Sequence, residues 1–283
     1  GKLLFHETSL ALNPKLESGM NTYSCASCHQ SKAGFQSGLK QGIGEGGTGF
    51  GNLGEGRIMS SEYDATEIDV QPIRSPTIIN SAYQKLMLWN GQFGANGPNE
   101  GTESQWTEGT PKAANSLGFE GVETQAIAGL DVHRLKIDST FIANSQYRAL
   151  FDAAFGHVSQ EKRYSRINAG LAIAAYERSV LPNEAPFQKW LQGNSSAMTL
   201  SEKEGAVLFF GKAGCVDCHS GPALNDMDFH ALGMKDLYQE TSIVTFHTAP
   251  DNGEIKGRGG FTGNPDDDYK FKTKHCLEYM NGN

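Results

Sequence analysis

Cys25-Ala26-Ser27-Cys28-His29 is a C-x-x-C-H run, and the reading of these five residues decides the rest of the chain. Two thiols at i and i+3 can each form a thioether to a haem vinyl group, and the next residue's imidazole then lies under the iron as proximal ligand. The pattern returns as Cys215-Val216-Asp217-Cys218-His219. A zinc site is the competing reading, but zinc ribbons bring their Cys pairs closer together and need no His after the second Cys. A thioredoxin-like pair would want a βαβ context that is absent. The expectation is therefore two covalently bound haem c groups, on Cys25 and Cys28 and on Cys215 and Cys218, with His29 and His219 as iron ligands. Cys276 is left over.

With 283 residues, 38% of them apolar, the chain can bury two cores. A formal charge of -8 and a pI near 5.5 argue against nucleic acid, which needs a basic surface, and suit a basic electron donor. No run of eighteen apolar residues exists, so no membrane span is expected. No signal peptide is legible at Gly1-Lys2-Leu3-Leu4-Phe5. Covalent haem attachment implies export, which places the protein in the periplasm by its chemistry.

Working outward, Gly1 to Phe5 leads to the first motif and Gly205-Ala206-Val207-Leu208-Phe209 to the second, a weak internal repeat that suggests two cytochrome c-like modules. The glycine-rich stretch from Gly38 to Gly56 reads as a flexible surface loop, with a mobile flap beside the iron as the alternative. Ser75 and Pro76 suit a helix start running to Leu88. Helical periodicity resumes near Val122 and from Ser139 to Phe155. It is clearest from Ile167 to Leu181, with Ile167, Leu171, Ala174, Ala175 and Val180 for a core face and Pro182 as the stop. Ala185 to Gly193 reads as a short helix, and Ser201-x-x-Glu204 as a capping box for the helix entering the second motif. Strand signals are few, as at Ser242 to Phe246, and Asp266-Asp267-Asp268 reads as a solvated turn.

Taken with Ser75 to Asn80, Trp89-Asn90-Gly91, Ile173-Ala174-Ala175-Tyr176-Glu177-Arg178, Pro186-Phe187, Leu208 to Pro222, Phe229-His230 and Phe271-Lys272, the two motifs make the chain resemble the bacterial di-haem cytochrome c peroxidase family, which includes MauG-like enzymes. The resemblance implies a mainly α fold of two cytochrome c-like haem domains with long loops and little strand. Residues 1–182 would form the peroxidatic haem domain, and 183–283 the electron-transfer haem domain, incomplete at its C-terminus. Trp89 would be the wire between the haems, with an ordinary core tryptophan as the alternative, and Asn80 would offer an amide oxygen to an inter-domain calcium.

Departures from the family pattern sharpen the expectation. The resemblance calls for a displaceable distal His some fifteen residues after the first motif, yet no histidine occurs between His29 and His133. Gln125 fits the family's peroxide-site Gln, but the Glu expected ten residues on falls at Leu135, so His133, backed by Asp131 and Glu123, is the candidate for moving a proton. After Phe271-Lys272 the family's distal segment is replaced by a tail in which Met280, Tyr279 or His275 could reach the second iron, with Met280 as the candidate sixth ligand. The leading expectation is reduction of hydrogen peroxide to water with electrons from a small cytochrome c or cupredoxin. The alternatives are MauG-like oxidation of a protein or organic substrate through a bis-ferryl state, and a non-enzymatic di-haem electron carrier. Family members are often dimers, so a homodimer is one expectation.

Overall fold

The computed structural model describes residues 1–221 and 224–273. Its regular structure is mostly helical, with many single-turn 3-10 segments and only two-residue strands. In chain order the helices are α1 (Lys2–His6), α2 (Gly121–Val132), α3 (Ser139–Ala143), α4 (Tyr147–Ala154), α5 (Gln160–Arg163), α6 (Arg166–Arg178), α7 (Pro186–Leu191), α8 (Leu200–Phe209) and α9 (Arg258–Thr262). The strands β1 (Gly47–Thr48) and β2 (Ile58–Met59) pair antiparallel, as do β3 (Phe229–His230) and β4 (Phe271–Lys272).

The main core gathers Leu4 and Phe5 of α1, Val122, Ala126 and Leu130 of α2, Ile142, Tyr147 and Phe151, and Ala169, Ile173 and Ala174 of α6. The α2–α6 contact is backbone-close: a Cβ on Gly170 would stand 2.5 Å from Ile127. That closeness turns α6. Its buried residues are Asn168, Ala169, Gly170, Ile173, Ala174 and Glu177, so Ile167, Leu171, Ala175 and Val180 are not the main core face. Small residues let the helices approach where large apolar ones would hold them apart. A separate cluster of Phe187, Met198 and Leu224 lies under the second motif, joined by Trp190, Ala206 and Phe209.

Several local expectations shift for identifiable reasons. No helix runs from Ser75 to Leu88. Thr77 Oγ1 donates to the Gly34 carbonyl at 2.6 Å and accepts from Ile79 N–H at 3.0 Å, and Asn80 and Leu88 take left-handed φ values of 56° and 66°. A hydroxyl serving its own backbone followed by β-branched residues disfavours a helix. Residues 139–155 divide into α3 and α4, and α6 ends at Arg178, before Pro182. The capping box of α8 is Thr199 with Glu202, not Ser201 with Glu204; both pairs fit the motif, and the earlier one starts the helix two residues sooner. Residues 242–246 form no strand. Within the glycine-rich stretch, 47–53 are mostly exposed but 41–46 are buried, so part of the expected surface loop is interior.

A seam at Trp89-Asn90-Gly91 ties this stretch to residues 229–272. Lys272 N–H donates to the Trp89 carbonyl at 2.8 Å, and Phe229 packs so tightly that a Cβ on Gly91 would meet its ring at 2.5 Å. Buried Arg258 donates to Asn99 Oδ1 at 2.7 Å and to the Pro98, Asn90 and Gly91 carbonyls, with its cation over the rings of Phe229 and Phe261. Arg258→Ala strands these buried acceptors, and guanidinium denaturation is expected to show a loss of about 3 kcal/mol.

Candidate haem centres

Both motifs fold into the same device. Cys25–Ser27 and Cys215–Asp217 are single 3-10 turns. In each, the His N–H closes back on the first Cys carbonyl, at 3.1 Å for His29 and 2.8 Å for His219. The imidazole is then oriented by a carbonyl a few residues downstream. His29 Nδ1 lies 3.0 Å from the Phe35 oxygen, and His219 Nδ1 lies 3.0 Å from that of Leu224. Donation from Nδ1–H fixes the tautomer whose Nε2 carries a lone pair for a metal. An aromatic ring from the preceding helix braces each imidazole, Phe5 on His29 at 6.2 Å and Phe209 on His219 at 6.1 Å between centroids.

The first motif opens onto a large cavity whose walls run from Phe5 of α1 to Glu177 of α6. Its walls include Cys25, Cys28 and His29, and also Trp89, Gln125 and His133. Gly42 lets the chain close on the thiols, since a Cβ there would sit 3.0 Å from Cys28 Sγ. Burial pushes both thiols up to about 12, Glu177 adding to the effect at Cys25 and Asp69 at Cys28. Burial also pulls His29 down to about 4, against the Phe35 and Pro76 carbonyls. A neutral imidazole, two free thiols and this cavity fit a covalently attached haem.

On α2, Gln125, Gly129 and His133 follow one another at four-residue spacing along one face. A Cβ on Gly129 would lie 3.6 Å from Gln125 Nε2 and 3.8 Å from His133 Cδ2, so glycine keeps the space between them open. Gln125 Oε1 is buried without a hydrogen-bond partner. His133 caps the end of α2, and its Nδ1 lies 2.8 Å from Asp69 Oδ2. Burial draws the His133 ring's pKa down, but the charge and hydrogen bond of Asp69 outweigh it and leave the ring above its usual value. Trp89 is half-buried, with Nε1–H donating to the Arg74 carbonyl at 2.8 Å.

The other expected residues lie elsewhere. Asn80 is buried and does not line the cavity; its amide nitrogen lacks a partner, and its left-handed backbone precedes a 3-10 turn rather than ending a helix. Leu135 is 4% exposed in the main core, so no carboxyl stands there. Asp131 pairs with Arg166 at 2.6 Å, and Glu123 with Arg178 at the same distance. His275, Cys276, Tyr279 and Met280 lie outside the described residues. Around the second motif, donor atoms of Cys218, Asp226 and His230 lie within 4.8 Å of one another, one short of a tetrahedral zinc set.

Sequence reasoning missed Asp69, the carbonyls of Phe35 and Leu224, and Glu177. Asp69 carried a signal, a carboxylate between apolar Ile68 and Val70. The carbonyls carried none, because any residue supplies one.

Position 45, sixteen residues after His29, holds a fully buried glutamate. Its carboxylate accepts from Tyr63 Oη at 3.1 Å, from Leu16 N–H at 3.3 Å, and from Lys15 N–H and Arg134. Arg57 clasps the adjoining backbone through the Ile43 and Gly44 carbonyls at 2.6 and 2.7 Å. This part of the glycine-rich stretch, residues 41–46, is anchored and does not have the make-up of a flap.

Comparison with known proteins adds a family to this geometry. The chain is similar to the cytochrome-c peroxidase IdrP1 of Denitromonas iodatirespirans, 29% identical over 98% of this chain and 65% of that one. It is also similar to the methylamine utilization protein MauG of Methylorubrum extorquens, 31% identical over 83% of this chain and 52% of that one. It therefore spans about half to two thirds of the length of these relatives. A solved MauG-like protein associated with microbial copper homeostasis shares the fold, with a TM-score of 0.56 at 23% identity over 98% of this chain and 67% of that one. The family profile described as di-haem cytochrome c peroxidase matches residues 1–196. Since that span contains every cavity wall named above, and over half of the residues, the chain belongs to the di-haem cytochrome c peroxidase family.

Proposed function

We propose that the protein is a periplasmic di-haem peroxidase that reduces hydrogen peroxide to water with electrons from a small cytochrome c or cupredoxin. The observation that carries this reading is the convergence of Cys25, Cys28, His29, Trp89, Gln125 and His133 on one cavity. Haem bound through Cys25, Cys28 and His29 supplies an iron that activates peroxide and exchanges electrons one at a time. Gln125 orients the peroxide through its side-chain amide. His133, held by Asp69 at Nδ1, uses Nε2 to take a proton from one peroxide oxygen and return it to the other. Cys215, Cys218 and His219 hold the second haem, and Trp89, whose carbonyl is tied to β4, carries electrons across the seam.

Residues 1–182 and 183–283 serve as the two modules in this scheme, supported by the separate apolar clusters under each motif. Asn80 contributes an amide oxygen to a calcium ion. The acidic surface suits a basic donor, and the family's habit makes a homodimer the working oligomer. Among the described residues no helix is long and apolar enough to cross a membrane.

MauG-like oxidation of a protein or organic substrate is the second reading, favoured by one observation: the anchored Glu45 where a displaceable His would stand. The test is an EPR spectrum of the all-ferric protein before and after peroxide, with donor consumption measured alongside. Immediate loss of a high-spin signal with two donor electrons consumed per peroxide supports the peroxidase. The same loss with no donor consumed supports the MauG-like reading. An all-low-spin spectrum unchanged by peroxide rejects both in favour of an electron carrier.

A further inference from the structure

Peroxide reduction to two waters consumes two protons with its two electrons, and His133 only moves a proton between oxygens. Two carboxyls of the cavity wall are not used by this scheme, Glu254, whose Oε2 accepts from Asn90 Nδ2 at 3.0 Å, and Glu177, which has the less satisfied carboxyl. Glu177 lines the cavity from α6, is 3% exposed, and its Oε2 has no hydrogen-bond partner. It stands one turn beyond Ile173 on the face that meets the cavity. A carboxyl without a partner in such a place is costly if charged and inexpensive if protonated.

The groups around it leave the negative charge uncompensated. Glu123, facing it from α2, is a carboxylate that opposes a second charge. Arg178, the next residue, is directed away, donating to Glu123 at 2.6 and 2.8 Å and to Glu120 at 2.9 Å. Cys25, from the 3-10 turn, and the neighbouring Tyr176 both sense its charge and offer none of opposite sign. Leu135 fills the place where the family's acid is expected, so that position supplies the cavity no carboxyl.

We propose that Glu177 is the proton store of this cavity, binding one proton at Oε2 for each electron that enters the iron held by His29 and releasing it when that electron leaves. The inference rests on haem occupancy at Cys25 to His29, which the proposed function shares, but not on peroxide as substrate. Burial, with Glu123 second, raises the Glu177 carboxyl to about 8. The added positive charge of an oxidised iron favours the carboxylate, so the oxidised state has the lower carboxyl pKa and the reduced state the higher. Electron and proton then enter together with no net change in the cavity's charge.

The test is a spectroscopic redox titration of the holoprotein, following the cavity haem between about pH 6 and 9. One proton per electron makes a tenfold fall in proton concentration lower the potential by about 59 mV. The unmutated protein should approach that slope between the two carboxyl pKa values. Glu177→Gln, nearly isosteric but unable to ionise, should flatten it, while Glu177→Asp keeps it with a displaced window. A wild-type slope surviving in Glu177→Gln, or a flat wild-type potential, overturns the proposal. A second readout needs no variant: the reduced-minus-oxidised infrared spectrum should show a protonated carboxyl band appearing on reduction, and its absence is equally fatal. Peroxide turnover is read separately. Failure to turn over with the slope intact sinks the peroxidase assignment and leaves the proton store standing.

Discussion

Replacing His29 by alanine is expected to lower peroxide turnover by on the order of 10³-fold or more, equivalent to about 4 kcal/mol of barrier, while the haem at His219 keeps its spectrum. The asymmetry follows from construction. His29 is braced by Phe5 and oriented by the Phe35 carbonyl, all within the first core. His219 is braced by Phe209 and oriented by Leu224, within the second cluster. Loss of one imidazole removes nothing that positions the other. With its pKa near 4, the His29 ring is neutral through the physiological range, so wild-type ligation should show no titration there. His219→Ala is the reciprocal case: the cavity haem still reacts with one equivalent of peroxide, but turnover driven by donor slows. Full activity in His29→Ala, or equal damage to both haems in each variant, contradicts the division of labour.

The second large effect belongs to the His133–Asp69 pair. His133→Gln should cost about 10²- to 10⁴-fold in kcat/KM for peroxide, the usual worth of a positioned acid–base group, with haem content unchanged. Asp69→Asn gives the sharper test because it acts through pKa. Asp69 holds His133 above its ordinary value against the downward pull of burial, and a protonated ring cannot accept the peroxide proton. Removing that charge leaves burial in control, the His133 pKa falls, and the acid limb of the pH profile moves to lower pH. The stability contribution runs the same way. It is fully present below the unfolded value of about 6.5 and lost as pH rises through the raised folded value, and Asp69→Asn abolishes it. An acid limb that stays in place in Asp69→Asn shows that His133 is not the titrating base.

The chemistry that depends on local covalent pattern was legible in the chain. Cys25 to His29 and Cys215 to His219 announce themselves by spacing, and the parallel of Phe5 with Phe209 appears in both the sequence repeat and the ring contacts. Gln125 and His133 were found by resemblance and by scarcity of histidine, and both line the cavity. Long-range pairing was not legible. Asp69 reaches His133 across 64 residues, and Arg134 reaches Glu45 across 89; no periodicity encodes such partners. Glu177 was hidden within a recognisable helical motif, because a carboxylate on an amphipathic helix normally faces water. Its burial follows from the turn of α6 that Gly170 permits, a packing decision that binary pattern does not contain. The departure over Ser75–Leu88 has the same origin: local propensity there favours helix, whereas Thr77 is committed to Gly34 from another part of the chain.

The anchoring of Glu45 has a consequence for apparent affinity. An enzyme whose binding-competent form is a minor species binds its ligand more weakly by the fraction that is competent. Swinging residue 45 outward would break its contact with Arg134 inside the protein, at a cost on the order of 3 kcal/mol, which holds the rearranged form below about 1%. Nearly every molecule therefore presents one arrangement of this segment. As far as residues 41–46 are concerned, peroxide meets an undivided population, and stopped-flow mixing should show a single phase whose rate rises linearly with peroxide concentration, with no lag.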